Sequence, residues 1–287
     1  MICFFESFNG YLSCYADDLK IVCQHGPKLQ QDIDKVIRWF ISNKLAVNRE
    51  KCGIMLLKNG KFKQTSNFTY KLDCFLLPFE RDVRDLGVRV DSNFSFQSHV
   101  HYVNTSSKRL INLCFKMFAS SSLEVFLNFY KIYVIPVIMY CSSIYSLISV
   151  QNISRIEKIQ KYFTKRLYAR LYPKMPIPNY NDRLVVFQLK PLEALLIKSD
   201  LCILYRLLNG SLVVPGVSVS RRDRLPGCLQ VSSVRTTTSR SFYLHRTIMI
   251  WNRFFSYKQF ESYAHFKSFI DDLNFIPVYR GNALKAH

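Results

Sequence analysis

The stretch "LSCYADDLKIVC", residues 12–23, places two adjacent aspartates, Asp17 and Asp18, inside an otherwise apolar run. Aspartate is a poor strand residue, and neighbouring like charges repel each other. On both sides of the pair, apolar residues alternate with other residues, which is typical of strands that bury one face. The pattern predicts a β-hairpin over 11–23 whose tip carries both carboxylates, because aspartate tolerates turn geometry.

Two carboxylates that share a hairpin tip favour a divalent cation. Mg²⁺ takes oxygen ligands and leaves room for phosphates. Two such ions can hold the attacking and leaving oxygens of a phosphoryl transfer. Asp17 and Asp18 are therefore candidate metal ligands and catalytic residues for nucleotidyl transfer. The alternative is an ordinary surface turn, and the dipeptide alone does not separate the two.

Outward from the hairpin, the pattern changes from strands to helices near residue 97. An amphipathic helix is predicted over 27–42, because apolar residues recur there at helical spacing. Short strands are predicted at 53–57, near 67–77 and over 84–90. Helical spacing then recurs over about 100–117, from 123, and over 152–171, 191–209, 242–255 and 263–273. The prediction is an α+β fold with a β-hairpin sheet and packed helix in 1–96, a helical region in 97–210, and a basic loop with C-terminal helices in 211–287.

The composition favours an anionic partner. The formal net charge is +20, from 40 Lys and Arg against 20 Asp and Glu. Such an excess favours nucleic acid first and an anionic membrane second, with solvated lysines as the alternative. Nine cysteines without a C-x-x-C pair, and an N-terminus without a basic signal region, favour reduced thiols in the nucleus or cytoplasm rather than secretion.

Two further patterns have a structural interpretation. Residues 132–150 carry no charge and are long enough to cross a bilayer, but Pro136, four serines and three tyrosines favour a buried helix over a membrane span. The six histidines show no ligand spacing with the cysteines. We interpret His99 and His101 as polar surface residues.

Longer segments resemble the reverse transcriptases of non-LTR (LINE-like) retrotransposons, in particular the Jockey/CR1-like groups. The palm resemblance is carried by Tyr-Ala-Asp-Asp between apolar strands, the helix after it, and "KLAVNREKCGIMLL" (44–57). The segment "VRDLGVRVDSNFSFQSHV" (83–100) is similar to the strand turn after the palm. The thumb and post-thumb resemblance comes from "FYKIYVIPVIMYCSSIY" (129–145), "RIEKIQKYFTKRLY" (155–168), "YNDRLVVFQLKPLEALLIKSDLCILYRLLNG" (180–210) and "WNRF" (251–254).

The resemblance implies roles for single residues. Asp17 and Asp18 would be the second and third catalytic carboxylates, holding two Mg²⁺ ions. Tyr15 would pack beside the template–primer or the incoming nucleotide. Lys51 would protonate the leaving pyrophosphate, with an exposed lysine as the alternative. Gly87 would lie in the primer-grip turn, where glycine lets backbone approach the primer end, with a plain bend as the alternative.

The same resemblance implies parts that residues 1–14 do not match. A related polymerase needs a further palm aspartate, fingers, and a Pro-Gln-Gly-type loop, whereas the acid before the hairpin is Glu6. We therefore expect a C-terminal fragment cut inside the palm, without polymerase activity alone, because groups that act as one catalytic unit fail together. Enzyme status is left open. We also expect the apolar face of the helix at 27–42 to be exposed, with poor solubility.

Basic residues in the predicted thumb indicate nucleic-acid contact. Lys158, Lys161 and Lys165 share one side of a predicted helix, and Arg166 adds to the charge, so the helix could follow a phosphate backbone without reading sequence. The alternative is a solvated helix face. Residues 211–241 add Arg221, Arg222, Arg224, Arg235 and Arg240, in a loop that binds RNA or is merely mobile.

Two functions follow as candidates. The first is an RNA-directed DNA polymerase fragment that works on an RNA template and a DNA primer, with Mg²⁺ and no small-molecule cofactor. The second is a non-enzymatic, basic, nucleic-acid-binding remnant of a retrotransposon protein. The sequence leaves the oligomeric state open.

Overall fold

The structure is a computed structural model in which the fold is α+β. It describes residues 8–57, 68–118, 122–146, 149–214, 217, 219, 228–230, 242–255, 258 and 260–272. The chain divides into two compact units. The first comprises Met1–Asp85 with Val90–Asn93, and the second comprises Leu86–Arg89 with Phe94–His287.

The strands lie in the first part of the chain and are short. They are β1 (Tyr11–Tyr15), β2 (Asp18–Val22), β3 (Ile54–Met55), β4 (Lys71–Leu72), β5 (Phe75–Leu76), β6 (Phe79–Glu80), β7 (Asp82–Asp85) and β8 (Val88–Asp91). They form four separate two-stranded sheets: β1–β2, β3–β6, β4–β5 and β7–β8. The pair β3–β6 is parallel, whereas β1–β2 and β4–β5 are antiparallel. The predicted strands near 67–77 and over 84–90 are each two strands joined by a turn.

One helix, α1 (Gly26–Ser42), packs on these strands. Pro27 lies in its first turn, where a missing N–H costs nothing. Ile33 and Val36 are buried, and Ile33 joins a core cluster with Ile54, Tyr70, Leu72 and Leu77. The expectation that this helix face would be exposed is therefore wrong for its central residues. The strands at 54–55 and 71–77 cover it, whereas Ile41 near its end stays 69% exposed.

The second unit is helical. Its helices are α2 (Gln97–Met117), α3 (Leu123–Phe129), α4 (Ile135–Met139), α5 (Ser142–Tyr145), α6 (Val150–Leu171), α7 (Tyr180–Val186), α8 (Leu192–Leu208), α9 (Tyr243–Phe254) and α10 (Tyr263–Asp272). The helix predicted from residue 123 is interrupted twice. A π-helical turn spans Tyr130–Val134, directly before α4, whose second residue is Pro136. Proline removes a backbone donor and crowds the preceding turn, which accounts for a local change of helical register. Cys141, at φ 51°, then separates α4 from α5.

None of the helices in the described ranges combines the length and apolar character that a bilayer crossing needs. Part of the 132–150 stretch instead lies in the core of the second unit, where Val134, Ile138 and Tyr145 have no exposed surface, whereas Ile132 and Tyr133 are more than half exposed. Most of the predicted loop at 211–241, including all five of its arginines, lies outside the described residues.

His99 is buried at 2% exposure, so its interpretation as a surface residue is wrong. Its Nδ1 accepts a hydrogen bond from the backbone N–H of Arg89 at 3.3 Å, and its ring packs edge-on against Tyr145. Burial, with the charge of Arg89 in second place, lowers the pKa of His99. His101, two residues on, is exposed as predicted.

Candidate active site and nucleic-acid interface

The Tyr-Ala-Asp-Asp segment forms the tip of the β1–β2 hairpin. The antiparallel register pairs Tyr11 with Val22 and ends at Tyr15 opposite Asp18, so Ala16 and Asp17 are the two loop residues. Ala16 has φ 50°. A non-glycine residue in this left-handed region costs about 1–2 kcal/mol, and the tight two-residue loop imposes it because such loops need positive φ to match the strand twist.

The two faces of the hairpin differ. Residues directly opposite each other in an antiparallel pair share a face, so Tyr15 and Asp18 lie on one side, with Lys20 two residues along. Tyr15, Asp17 and Asp18 are all exposed. The other face carries Ile21, which packs against the core of the first unit. The hairpin therefore turns its apolar side to the core and presents its carboxylates and tyrosine outward.

Lys20 connects the outward face of the hairpin to β7 of the first unit. Its ammonium forms an ion pair with Asp85, the last residue of β7, and both side chains are partly exposed. A surface pair of this kind contributes about 0–1 kcal/mol. The pair joins β2 to β7, and Lys20 is a cation on the same strand face as Asp18.

The tip offers the right donor atoms for Mg²⁺ but few of them. Carboxylate oxygens are the ligands that this ion prefers. Within the described ranges, however, no group of three or more His, Cys, Asp or Glu side chains is arranged to hold a metal ion. Asp17 and Asp18 thus fit part of a two-ion site, and further oxygen ligands have to come from residues outside the described ranges, from nucleotide phosphates or from another chain.

A buried carboxylate on α1 fixes the start of the hairpin, and sequence reasoning missed it. Asp32 has no exposed surface. Its oxygens accept hydrogen bonds from the backbone N–H groups of Asn9 and Gly10, at 3.0 and 2.9 Å, and from the side-chain amide of Asn9 at 3.0 Å. The ammonium of Lys35 lies 3.8 Å away. An acid in the middle of the apolar face of a predicted helix was the available signal.

Gly10 is required at this point because the backbone is crowded. A Cβ at Gly10 would lie 2.6 Å from the carbonyl oxygen of Val22, which is shorter than real contacts allow. The chain therefore enters β1 in close contact with the end of β2, and Asp32 holds it there. Together they set where the tip residues, Asp17 and Asp18, stand relative to α1.

The predicted primer-grip turn joins β7 to β8. Leu86 and Gly87 both have positive φ, 45° and 86°, as the commonest two-residue hairpin turns require. The hydroxyl of Tyr140 donates a hydrogen bond to the carbonyl of Leu86 at 2.7 Å. A Cβ at Gly87 would lie 3.3 Å from the ring of Tyr140. Glycine thus provides both the conformation and the space, and an aromatic ring on the helical side holds the turn.

Residues 2–92 match the family described as reverse transcriptase (RNA-dependent DNA polymerase). This segment is about a third of the chain and includes the hairpin, Asp32, Lys51 and the turn at Gly87. An uncharacterized protein of Caenorhabditis elegans is 27% identical over 141 residues, which cover 49% of this chain and 70% of that protein. No solved structure matches this chain. The match supports a reverse transcriptase-like role for the first unit at the level of the family.

Lys51 lies in a different element from the carboxylates. It ends the 3₁₀ turn Arg49–Lys51 and is exposed. In the described part of the chain, no hydrogen bond or ion pair joins it to Asp17 or Asp18. The structure therefore brings Tyr15, Asp17 and Asp18 together at one tip, whereas Lys51 lies in a separate turn.

The basic residues predicted on α6 divide into two groups. Lys158, Lys161 and Lys165 are exposed, while the opposite side of the helix is buried through Ile156, Ile159, Phe163 and Leu167. Arg166 is held instead. Its guanidinium donates to the Tyr162 hydroxyl at 2.9 Å and to the Asn112 amide oxygen, and lies 4.6 Å from the ring centre of Phe115.

Glu157, the one acid of α6, does not offset this charge, because it points into the second unit. Its oxygens accept hydrogen bonds from the Tyr180 hydroxyl and from the backbone N–H groups of Leu192 and Glu193, at 3.3 and 3.1 Å. It thus caps the N-terminus of α8 in place of a residue from that helix. Burial raises the pKa of Glu157, and these hydrogen bonds oppose the rise. The exposed charged residues of α6 are therefore all basic.

Proposed function

We propose that the chain carries the second and third catalytic carboxylates of a reverse transcriptase from a non-LTR, LINE-like retrotransposon. The observation that carries the proposal is the Tyr-Ala-Asp-Asp hairpin tip, exposed on the outward face, inside the segment that matches the reverse transcriptase family. The assignment to the non-LTR group rests on the resemblance of the quoted segments, since the family match itself is coarser.

Each residue has a part in this proposal. Asp17 and Asp18 hold Mg²⁺, and Tyr15, opposite Asp18, packs beside the template–primer or the incoming nucleotide. When bound, two Mg²⁺ ions supply electrostatic stabilisation of the attacking and leaving oxygens. Lys51 donates a proton to the leaving pyrophosphate, and the turn at Gly87 approaches the primer end.

The basic face of α6 holds the RNA template and the DNA primer in this proposal. Lys158, Lys161 and Lys165 are exposed and reach phosphates directly, whereas Arg166 stiffens the helix face through Tyr162 and Asn112. Such contacts are independent of base sequence. They suit a polymerase, which has to hold every sequence that it copies.

The chain by itself is proposed to be inactive. Within the described residues no third His, Cys, Asp or Glu joins Asp17 and Asp18 to hold a metal, and catalytic groups that act as a unit fail together. Magnesium-dependent primer extension on the purified chain is expected to give no incorporation. Clear incorporation that Asp18→Asn abolishes would refute the inactivity and support the catalytic role.

A second experiment tests the function rather than its loss. The chain is extended at its N-terminus with the fingers and first palm segment of an active LINE-like enzyme, and primer extension is repeated. Incorporation is expected, and Asp17→Asn or Asp18→Asn is expected to remove it, while Asp34→Asn on the outer part of α1 serves as the matched control. A folded chimera that binds primer–template but gives no product would favour the non-enzymatic, nucleic-acid-binding alternative.

A further inference from the structure

A groove of about 580 Å³ lies between α2 and α6, in the second unit and beyond the residues that match the reverse transcriptase family. One wall is a stripe of α2 in which His101, Asn104 and Lys108 recur at helical spacing. The other wall carries Arg155 and Lys158 of α6. The Asn104 amide donates a hydrogen bond to the backbone carbonyl of Arg155 at 2.6 Å, which joins the two walls.

The groove carries several positive charges and no negative one. Four of its side chains are cationic: Lys108, Arg109, Arg155 and Lys158. No carboxylate lines it, and none of the four forms an ion pair with any residue that the structure describes. Helix α2 contains no Asp or Glu at all, and the one acid of α6 is the buried Glu157. Like charges at this spacing repel unless an anion lies between them.

The shape and lining of the groove indicate the kind of anion. The stripe from His101 to Asn112 is about 16 Å long at 1.5 Å per residue, which suits a row of charges better than a single small anion. Eight of the nine residues that line it are polar or charged, the exception being Val100, which favours a charged ligand. A concave groove between two helices also fits a rod-like polyanion better than a flat lipid surface.

We propose that this groove binds the sugar–phosphate backbone of a nucleic acid, with Lys108, Arg109, Arg155 and Lys158 on successive phosphates. Other neutral side chains of the lining, Thr105 and Asn112, donate to backbone oxygens between the cations. The inference extends the proposed nucleic-acid role of α6 to a second helix, α2, and in that respect rests on the proposed function. It involves no metal and neither hairpin carboxylate.

The salt dependence of binding tests the groove. A fluorescently labelled, mixed-sequence DNA duplex is titrated with the full chain in EDTA, at salt concentrations between about 50 and 200 mM, and anisotropy is measured. Each phosphate contact contributes about 0.9 to the slope of log K against log salt. The triple variant Lys108→Gln, Arg155→Gln, Lys158→Gln is expected to reduce the slope by about 2.7 and the affinity at 0.1 M salt by roughly tenfold per residue.

A matched triple variant controls for net charge. Lys131→Gln, Lys174→Gln and Lys267→Gln remove the same charge from exposed positions of the second unit that do not line the groove, and the slope is expected to fall by less than about 0.5. Circular dichroism checks that both triple variants fold. If the groove triple does not fold, the single variants Lys158→Gln and Lys158→Glu replace it. The charge reversal Lys158→Glu is then expected to weaken binding more than Lys158→Gln.

Three outcomes would overturn the proposal. The first is an equal loss in both triples, which means that only net charge matters. The second is affinity that does not change with salt. The third is tighter binding to anionic phospholipid vesicles than to DNA, lost in the groove triple, which assigns the groove to a membrane. Because EDTA removes Mg²⁺, failure of the metal chemistry would leave this result unchanged, so the two proposals fail separately.

Discussion

The two units of the chain achieve stability in different ways. In the first unit the apolar core is small: Ile33, Ile54, Tyr70, Leu72 and Leu77 each keep 5–8% of their surface exposed, and among the described residues of this unit the fully buried side chain is a carboxylate, Asp32. In the second unit many apolar side chains have no exposed surface, among them Phe126, Tyr130 and Ile138. The first unit carries the recognisable motif, while the second carries the dense packing.

The difference follows from element length. Strands of two to five residues bury little apolar area each, so the first unit depends on polar contacts that fix its turns and strand ends. Helices of about 20 residues bury a continuous apolar face. Because this burial stabilises the fold, the second unit can also enclose polar groups. The part of the chain that carries the candidate catalytic residues is therefore the part with the smaller apolar core.

The largest effect is expected where the second unit buries a charge. Asp200 on α8 and Arg246 on α9 are 2% and 5% exposed and form an ion pair at 2.9 Å. Burial raises the pKa of Asp200, and Arg246 opposes the rise. Arg246→Met leaves the carboxylate without its partner, so the free energy of unfolding is expected to fall by about 3–5 kcal/mol. Urea unfolding followed by the fluorescence of Trp251, on α9, measures it.

A double variant is the control for this prediction. Replacing both partners, Asp200→Leu with Arg246→Met, removes the charge and its counter-charge together, and such replacements are often neutral. The double variant is therefore expected to recover most of the stability that the single variant loses. A single substitution that costs under about 1 kcal/mol would mean that water or another cation already solvates Asp200, and the contrast between the units would weaken.

The second prediction concerns the polar contact that secures the first unit. Asp32→Ala leaves the N–H groups of Asn9 and Gly10 without their acceptor, so a loss of about 2 kcal/mol is expected. Asp32→Asn keeps one acceptor oxygen and should lose about half as much. Fluorescence of Trp39, on α1, and hydrogen exchange of the Gly10 amide report on this unit.

A neighbouring apolar residue gives the matched control. Ile33→Val on the same helix removes one methylene from the core, at a cost of about 0.5–1.5 kcal/mol. If Ile33→Val proves costlier than Asp32→Ala, the first unit is secured by its apolar core after all. Faster Gly10 exchange in the Asp32 variants, without a change in the Ile33 variant, would place the contact at the strand entry.

Sequence patterns predicted the elements better than the contacts between them. The hairpin, α1 and α6 follow from local periodicity, and their bounds lie within a few residues of those predicted. The break of the helix after residue 129 was missed because Pro136 was counted only as evidence against a membrane span and not as a residue that disrupts a helix. Asp32, Glu157 and His99 were missed for a common reason. Each is a polar side chain on a buried face, and its hydrogen-bond partners lie in other elements, 10 or more residues away along the chain.

The candidate site divides in the same way. Tyr15, Asp17 and Asp18 are adjacent in sequence, so a hairpin brings them together without any tertiary information. The groove between α2 and α6 could not be predicted, because Lys108 and Lys158 are 50 residues apart and only helix packing makes them neighbours. The roles of Lys51 and Gly87 remain predictions that need a bound substrate.

The smallest effect is expected at the hairpin tip, at Ala16, which lies between Tyr15 and Asp17. Ala16 at φ 50° occupies a conformation that glycine adopts freely. Ala16→Gly is expected to stabilise the first unit by about 0.5 kcal/mol, since the relief of about 1–2 kcal/mol of strain exceeds the extra chain entropy that glycine brings to the unfolded state. Cys14→Gly, in β1 of the same hairpin, is the control and should destabilise by about 0.5–1 kcal/mol.

The free energy of unfolding of both variants is measured by urea unfolding, followed by the fluorescence of Trp39. Equal losses in the two variants would show that the tip is relaxed and that its φ carries no cost. A gain confined to Ala16→Gly would show that the chain keeps a strained residue between Tyr15 and Asp17 although glycine would serve the fold better. Strain of this kind concentrates where a backbone has to hold functional groups in one geometry, so the first unit would then be giving up stability at the position that orients its carboxylates.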